Sequence, residues 1–396
     1  MTGSGTHTML RAFDYGITWR FILCCLAYVR TNDMRALVVG GTGPTGPLVV
    51  RGLLDRGYEV TMYHRGYHEL EEMPDVHYHL HGDPFGRDDL EKDFGSSTWD
   101  LVLGMYGRVR YLADLMARRT ARFICVGGTP SLVQPRDLPF PRGLEFPLSE
   151  EHPTYTDRSV SEYGFAVAET ERRVMAHHDQ GHYAATLFRY TGLYGPRVPR
   201  NWVWPIARRA LDGRPHIIVP GDGSQLRPMA SVENAAHQVL LACDKPESSG
   251  HLFYSVDEKT YTLKEAIRLI GEALSHSWEV VEITHPLAYD LTRGYAPRRS
   301  QQLSADKLKA VLGYRDVVPP DEGIRNAARW LAEHRHLLDE PQFDEILADP
   351  YAYALEDRLI ASFRQWQLEA SSSIPRPDLR APVQEFRGPF RPRDAQ

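Results

Sequence analysis

The sequence predicts an α/β protein built on a doubly wound parallel sheet with a smaller C-terminal α/β lobe, and three observations carry that expectation. Short apolar runs recur at 35–39 and near 58–63, 76–80, 100–105, 121–126 and 183–189, separated by stretches long enough to cross over as helices. A glycine cluster, Gly40 to Gly46, stands where the first run ends and a helical stretch begins. The 396 residues are 42% hydrophobic and 25% charged, an ordinary globular balance that excludes collagen, coiled coil and wholesale disorder. Right-handed crossovers then place helices on both faces of the sheet.

In chain order, residues 1–33 read as an extension ahead of a natural start at Met34. Their most apolar stretch, Ile17 to Val29, is interrupted by Arg20 and falls short of the roughly 20 residues a membrane crossing needs. Residues 34–190 form the first domain. Its segment 129–160 is rich in Pro and Gly and reads as a lid or substrate loop. Residues 191–340 form the second lobe, with helices expected at Trp202–Leu211, Thr262–Leu274, Leu303–Leu312 and Gly323–Arg335, short strands at His216–Val219 and His251–Tyr254, and some segments returning to the sheet. A helical extension covers 341–370, and the Pro- and Arg-rich residues 371–396 read as an extended tail. No internal repeat is present.

Composition narrows the partners. Forty-six basic against 52 acidic residues leave a net charge of −6, so no global positive field favours nucleic acid. The four cysteines, Cys24, Cys25, Cys125 and Cys243, lack CxxC spacing, and a reducing cytoplasm is the expected compartment.

Gly40-Gly41-Thr42-Gly43-Pro44-Thr45-Gly46 satisfies both Gly41-x-Gly43-x-x-Gly46 and Gly40-x-x-Gly43-x-x-Gly46. Between a strand and a helix, such glycines let backbone amides approach a pyrophosphate that a side chain would exclude. This makes the loop a dinucleotide cradle. About 20 residues on, an acidic residue would bind the ribose 2′-hydroxyl of NAD, but here the second strand ends in His64-Arg65. The planar guanidinium of Arg65 suits a 2′-phosphate, so NADP is expected as cofactor, with NAD as the second choice. Asp83, after the third strand, is placed to accept from the adenine amino group.

Taken with Gly82-Asp83, Phe123-Ile-Cys-Val-Gly-Gly-Thr129, Tyr163-Gly-Phe-Ala-Val167, Phe188-Arg-Tyr-Thr-Gly-Leu-Tyr-Gly-Pro-Arg197 and Pro220-Gly-Asp-Gly-Ser-Gln-Leu-Arg227, the cradle resembles that of the extended short-chain dehydrogenase/reductases, the NAD-dependent epimerase/dehydratase family. The resemblance runs from about Met34 to His334, and the Arg65 position is similar to that of its atypical, NADP-preferring branches. It implies that Thr129 binds the substrate oxygen and that Tyr163 exchanges its proton while nicotinamide carries hydride. The family has Lys where this chain has Val167. A lysine one helical turn from the phenol would favour phenolate; a valine cannot. Three outcomes stay open: Tyr163 acts as a neutral phenol, another cation such as His152 or Arg158 substitutes, or the fold keeps NADP without redox chemistry.

The resemblance also implies that Arg227 grips a substrate phosphate, whereas Gly192 stands where nucleotide-sugar enzymes carry an Asn. Trp202 and Trp204, with Tyr194 nearby, are candidates to cover a flat or apolar substrate. A homodimer pairing through the Tyr163 helix is a family habit. His77, His79 and His81 alternate onto one strand face at a spacing that can ligate zinc, yet no further ligand is legible, and no metal is assigned. The expected function is NADP-dependent hydride transfer at a carbinol or carbonyl carbon of a small molecule. The alternative is a non-catalytic NADP-binding regulatory or interaction protein.

Overall fold

A computed structural model describes residues 34–67, 72–134, 147–198, 202–338 and 349–375. The expected extension 1–33, part of the expected lid (135–146) and the tail from 376 lie outside the described residues.

The chain divides into two compact units. The first takes Met1–Val198, Pro228–Lys259 and Gln302–Pro320. It contains a seven-stranded parallel sheet of β1 (Arg35–Val39), β2 (Glu59–His64), β3 (Tyr78–His81), β4 (Trp99–Gly104), β5 (Thr120–Gly128), β6 (Ala184–Tyr190) and β7 (His251–Ser255), in the order β7-β6-β5-β4-β1-β2-β3. This is the doubly wound order expected from the sequence, with the switch point between β1 and β4. The helices α1 (Gly46–Asp55), α2 (Arg87–Phe94), α3 (Val109–Leu115) and α4 (Glu162–Asp179) supply crossovers.

Period-two alternation explains the two cores. Ala36 and Val38 of β1 face one layer with Met62, Leu101 and Leu53, while Leu37 and Val39 face the other with Tyr63, Val102 and Phe123. Because β1 is buried on both sides, it reads as an unbroken apolar run. Edge strand β3 is exposed along its length. On one face, helix Val232–Asp244 lies so close to α1 that a Cβ on Gly52 would come within 2.4 Å of Leu240.

Register places the functional edge. Val39 pairs with Tyr63 and with Gly104, His64 with His81, and Gly128 with Tyr190. The residues just beyond these pairs, Gly40, Arg65, Gly82, Met105 and Thr129, therefore emerge along one edge of the sheet.

The second unit takes Pro199–Arg227, Thr260–Gln301 and Asp321–Gln396, so the chain passes between units more often than a single boundary near 190 implies. It holds helices Val203–Leu211 and Leu263–Ala273, a parallel pair His216–Pro220 with Glu279–Ile283, and an antiparallel pair Leu226–Arg227 with Tyr261–Thr262. Thr262 and Glu265 form a reciprocal capping box at the start of Leu263–Ala273. Helix Tyr353–Ser373 overruns the expected 370 boundary, so Ser371 to Ser373 are helical rather than tail. Among the described residues, no helix is long and apolar enough to cross a membrane.

Candidate functional site

Each glycine of the cradle has its own geometric reason. Gly40 has φ +85°, and a Cβ there would lie 2.1 Å from the Tyr106 Cβ, so both conformation and space demand glycine. A Cβ on Gly46 would sit 1.6 Å from the Gly41 carbonyl oxygen, which is how α1 packs against the loop that launches it. A Cβ on Gly43, by contrast, would meet no protein atom within 4 Å. It would instead fill the approach to the start of α1, the place where a pyrophosphate must come close to backbone amides. Gly46 N–H donates to the Gly43 carbonyl at 2.9 Å, and the buried Thr45 hydroxyl accepts from Tyr190 at 3.3 Å, tying the loop to the end of β6. Thr42 and Pro44 complete the loop. The residues present therefore fit a dinucleotide.

Beside the loop lies an aromatic recess. Arg65 is exposed at the end of β2, its guanidinium carbon 5.5 Å from the Phe85 ring and 6.0 Å from that of Tyr106. Phe85 and Tyr106 meet edge to face at 5.2 Å, and Arg108 approaches Phe85 from 5.9 Å. Phe85, Tyr106 and Arg108 were not legible as site residues, because isolated aromatics in a loop carry no spacing signal. Asp83 is exposed, and its Oδ1 accepts from Phe85 N–H at 3.1 Å, so this carboxylate shapes the turn that presents Phe85. His64 is buried; its Nδ1 accepts from Gly66 N–H at 3.0 Å, and its Nε2 meets that of His79.

At the other side of the edge, the start of α4 presses on the turn Thr129–Ser131. Ser161 caps α4 by accepting from Gly164 N–H at 3.1 Å. A Cβ on Gly164 would be 2.7 Å from the Pro130 carbonyl oxygen and 2.4 Å from the Tyr155 ring. Only glycine lets the first helical turn come so near, and this brings the segments bearing Thr129 and Tyr163 together. Tyr163 is 70% exposed, and Thr129 is half-buried. Val167 lies one turn along, its Cγ1 3.9 Å from a Cβ built on Gly127, so the position facing the end of β5 is apolar. A further turn along, Glu171 takes a two-pronged, buried bond from Arg189 at 2.8 and 2.9 Å, locking α4 to β6. The two candidate substitutes for the lysine each have a neighbour of their own. The His152 Nε2 is bonded to the Val133 carbonyl at 3.1 Å, and Arg158 stacks 5.4 Å from Phe165.

In the second unit, Arg227 lies 5.9 Å from the Trp202 ring. Among the described residues no carboxylate or carbonyl hydrogen-bonds it, and burial alone pushes its guanidinium down to about 10. Trp202 is buried, and Trp204 is fully buried on the core side of helix Val203–Leu211, a packing position rather than a substrate wall. Tyr194 belongs to the first unit, where its hydroxyl donates to buried Asp257 at 2.6 Å; it is a core residue too.

The expected histidine triad is corrected by the strand register. His77 leaves the set, its Nδ1 accepting from Val60 N–H at 3.2 Å, and His64 of the adjacent strand joins His79 and His81.

Comparisons with known proteins agree with this geometry. Residues 72–256 match the model of the NAD dependent epimerase/dehydratase family. An uncharacterised protein of Sinorhizobium fredii is 24% identical over 164 residues, 36% of this chain, and the chain spans only 45% of that relative's length. The mouse sterol-4-alpha-carboxylate 3-dehydrogenase, decarboxylating, is 23% identical over 345 residues, covering 76% of this chain and 92% of the mouse protein. Among solved structures, the UDP-glucose 4-epimerase of Thermotoga maritima, crystallised with UDP-glucose, superposes with a TM-score of 0.61 at 20% identity over 76% of this chain and 100% of its own, a likeness of fold. The family match over residues 72–256, the cradle and the strand order all point the same way, to similarity with the NAD-dependent epimerase/dehydratase family of extended short-chain dehydrogenase/reductases.

Proposed function

We propose that the protein is an NADP-preferring oxidoreductase that moves hydride at a carbinol or carbonyl carbon of a small molecule carrying an anionic group. The observation that carries the reading is the open cradle at Gly43, with Arg65 and Arg108 beside Phe85 on the same sheet edge. Gly40 to Gly46 would hold the pyrophosphate, and the two guanidiniums suit a 2′-phosphate through paired, charge-assisted bonds. The nicotinamide, when bound, supplies the hydride donor or acceptor.

The chain's own residues handle the oxygen and its proton. Thr129 orients the substrate oxygen, and Tyr163 exchanges the proton with it. Val167 supplies no cation, so Tyr163 works as a neutral acid toward a carbonyl, and the reduction direction is favoured over alcohol oxidation. The sterol carboxylate in the mouse relative's name and the UDP-sugar of the solved epimerase are both anionic, which supports that substrate class.

The exposure of Tyr163 and the missing lysine favour one rival, an NADP-binding protein without turnover. The test is a titration with NADPH and NADH followed by turnover on anionic ketones and nucleotide sugars, wild type against Tyr163→Phe. Tighter NADPH binding is expected, with turnover reduced roughly 10²- to 10⁴-fold in the variant. NADPH binding with no turnover on any substrate would establish the rival, and absence of cofactor binding would overturn both.

A further inference from the structure

Three imidazoles converge on the outer edge of the sheet. His64 closes β2, the parallel register sets it against His81, and His79 lies two residues earlier on β3, on the same face as His81. One ring nitrogen of each lies within 4.8 Å of the other two. The ring centroids form a near-equilateral triangle with sides of 4.6, 4.8 and 5.1 Å. His64 is buried, whereas His79 and His81 are exposed.

We propose that His64, His79 and His81 form a binding site for a divalent transition metal of the zinc class. Three neutral imidazoles with an open fourth position are a recurrent zinc ligand set. A site of nitrogens alone also selects against magnesium and calcium, which want oxygen ligands. Tetrahedral zinc needs its nitrogens roughly 3.3 Å apart, given Zn–N bonds of about 2.0–2.1 Å. The spread of nitrogen positions brackets that value, and the two exposed side chains on an edge strand can make the adjustment.

The proton inventory sets the cost. Gly66 N–H donates to His64 Nδ1, so the neutral ring carries its proton on Nε2, directed at His79. A metal at His64 Nε2 requires that proton on Nδ1, which gives up the Gly66 bond. Gly66 is exposed, and water can take over its N–H. Metal binding therefore loosens the turn that carries Arg65, and the Gly66 amide reports it.

The test uses the full chain without a purification tag, stripped with chelator and titrated with Co²⁺. One saturable equivalent with the visible d–d bands of a four-coordinate site is expected, displaced by Zn²⁺, together with a shift of the Gly66 amide resonance. His79→Gln should weaken binding roughly a hundredfold or more, since even partners beyond the ligands are worth 10- to 100-fold. His77→Gln, which alters a neighbouring imidazole outside the cluster, should bind like wild type. Circular dichroism and NADPH affinity verify that the variants are folded. Absence of a saturable Co²⁺ spectrum in the wild type, or an unchanged titration in a folded His79→Gln protein, would overturn the proposal.

Discussion

Arg209 and Arg227 both lie in the second unit, Arg209 fully buried and Arg227 half-buried, but only one has been given counter-charges. Arg209 bonds Asp349 at 3.1 Å, Glu356, and the Pro205 carbonyl at 2.8 Å, and stands 4.9 Å from the Tyr295 ring. Burial opposes its charge, but Tyr295, Asp349 and Glu356 outweigh that and hold it well above the ordinary arginine value. Arg227 is half-buried without the carboxylates, and its charge is correspondingly disfavoured. Partners, more than burial, thus decide how a shielded charge fares. The first guanidinium is complete within the chain; the second has no carboxylate among the described residues.

The comparison is broken most forcefully at Arg209. Arg209→Met leaves Asp349 and Glu356 buried and unpaired, and we expect a loss of about 3–5 kcal/mol in urea unfolding of the full chain. A variant as stable as the wild type would show that Arg209 is no more structural than Arg227.

A carboxylate of the first unit sharpens the same point with opposite sign. Asp257 is buried, and burial pushes it up to about 7, against the hydrogen bonds from Tyr194 and Asn234. Between about pH 4 and pH 7 the native state holds a proton that the unfolded state has released, so stability falls as pH rises through that window. The expected decline is on the order of 4 kcal/mol, and Asp257→Asn should flatten it in unfolding curves taken across the range. A slope unchanged by the substitution would assign the decline to other groups.

The smallest effect is at Arg227 itself. Arg227→Met should leave stability equal or slightly improved, because a half-buried cation without a carboxylate partner is removed. Loss of stability instead would make Arg227 a second Arg209.

What could be read from the sequence follows from range. The cradle was legible because its glycines, strand and helix are contiguous, and the apolar runs of β1, β2, β4, β5 and β6 were legible because buried parallel strands need no partner to declare themselves. The division of roles among Gly40, Gly43 and Gly46 was not, because the space at Gly40 is set by Tyr106 from a distant loop. Long-range pairings were not legible. Nothing in Tyr78-His79-Leu80-His81 announces that His64 will lie opposite, since that depends on register between strands 17 residues apart. Nothing near Arg209 announces carboxylates 140 and 147 residues later. The walls of the Arg65 recess come from two loops, after β3 and after β4, and loop aromatics carry no period. The Trp202 and Trp204 pairing was ambiguous for a related reason: a large aromatic fills a core as readily as it covers a substrate.

The separation between Arg209 and its carboxylates also has a tempo. At about 5–20 residues per second, a ribosome delivers Asp349 and Glu356 roughly 7 to 30 s after Arg209. Throughout that interval helix Val203–Leu211 has its cation but neither counter-charge, and sealing the core around it is unfavourable. The second unit is therefore constrained to close late, after Tyr353–Ser373 has been made, while the segments of the sheet through β6 are already able to pair. A nascent chain halted before residue 349 would carry an ordered sheet and an open second unit, the form on which a chaperone would find the apolar face of Val203–Leu211 still uncovered.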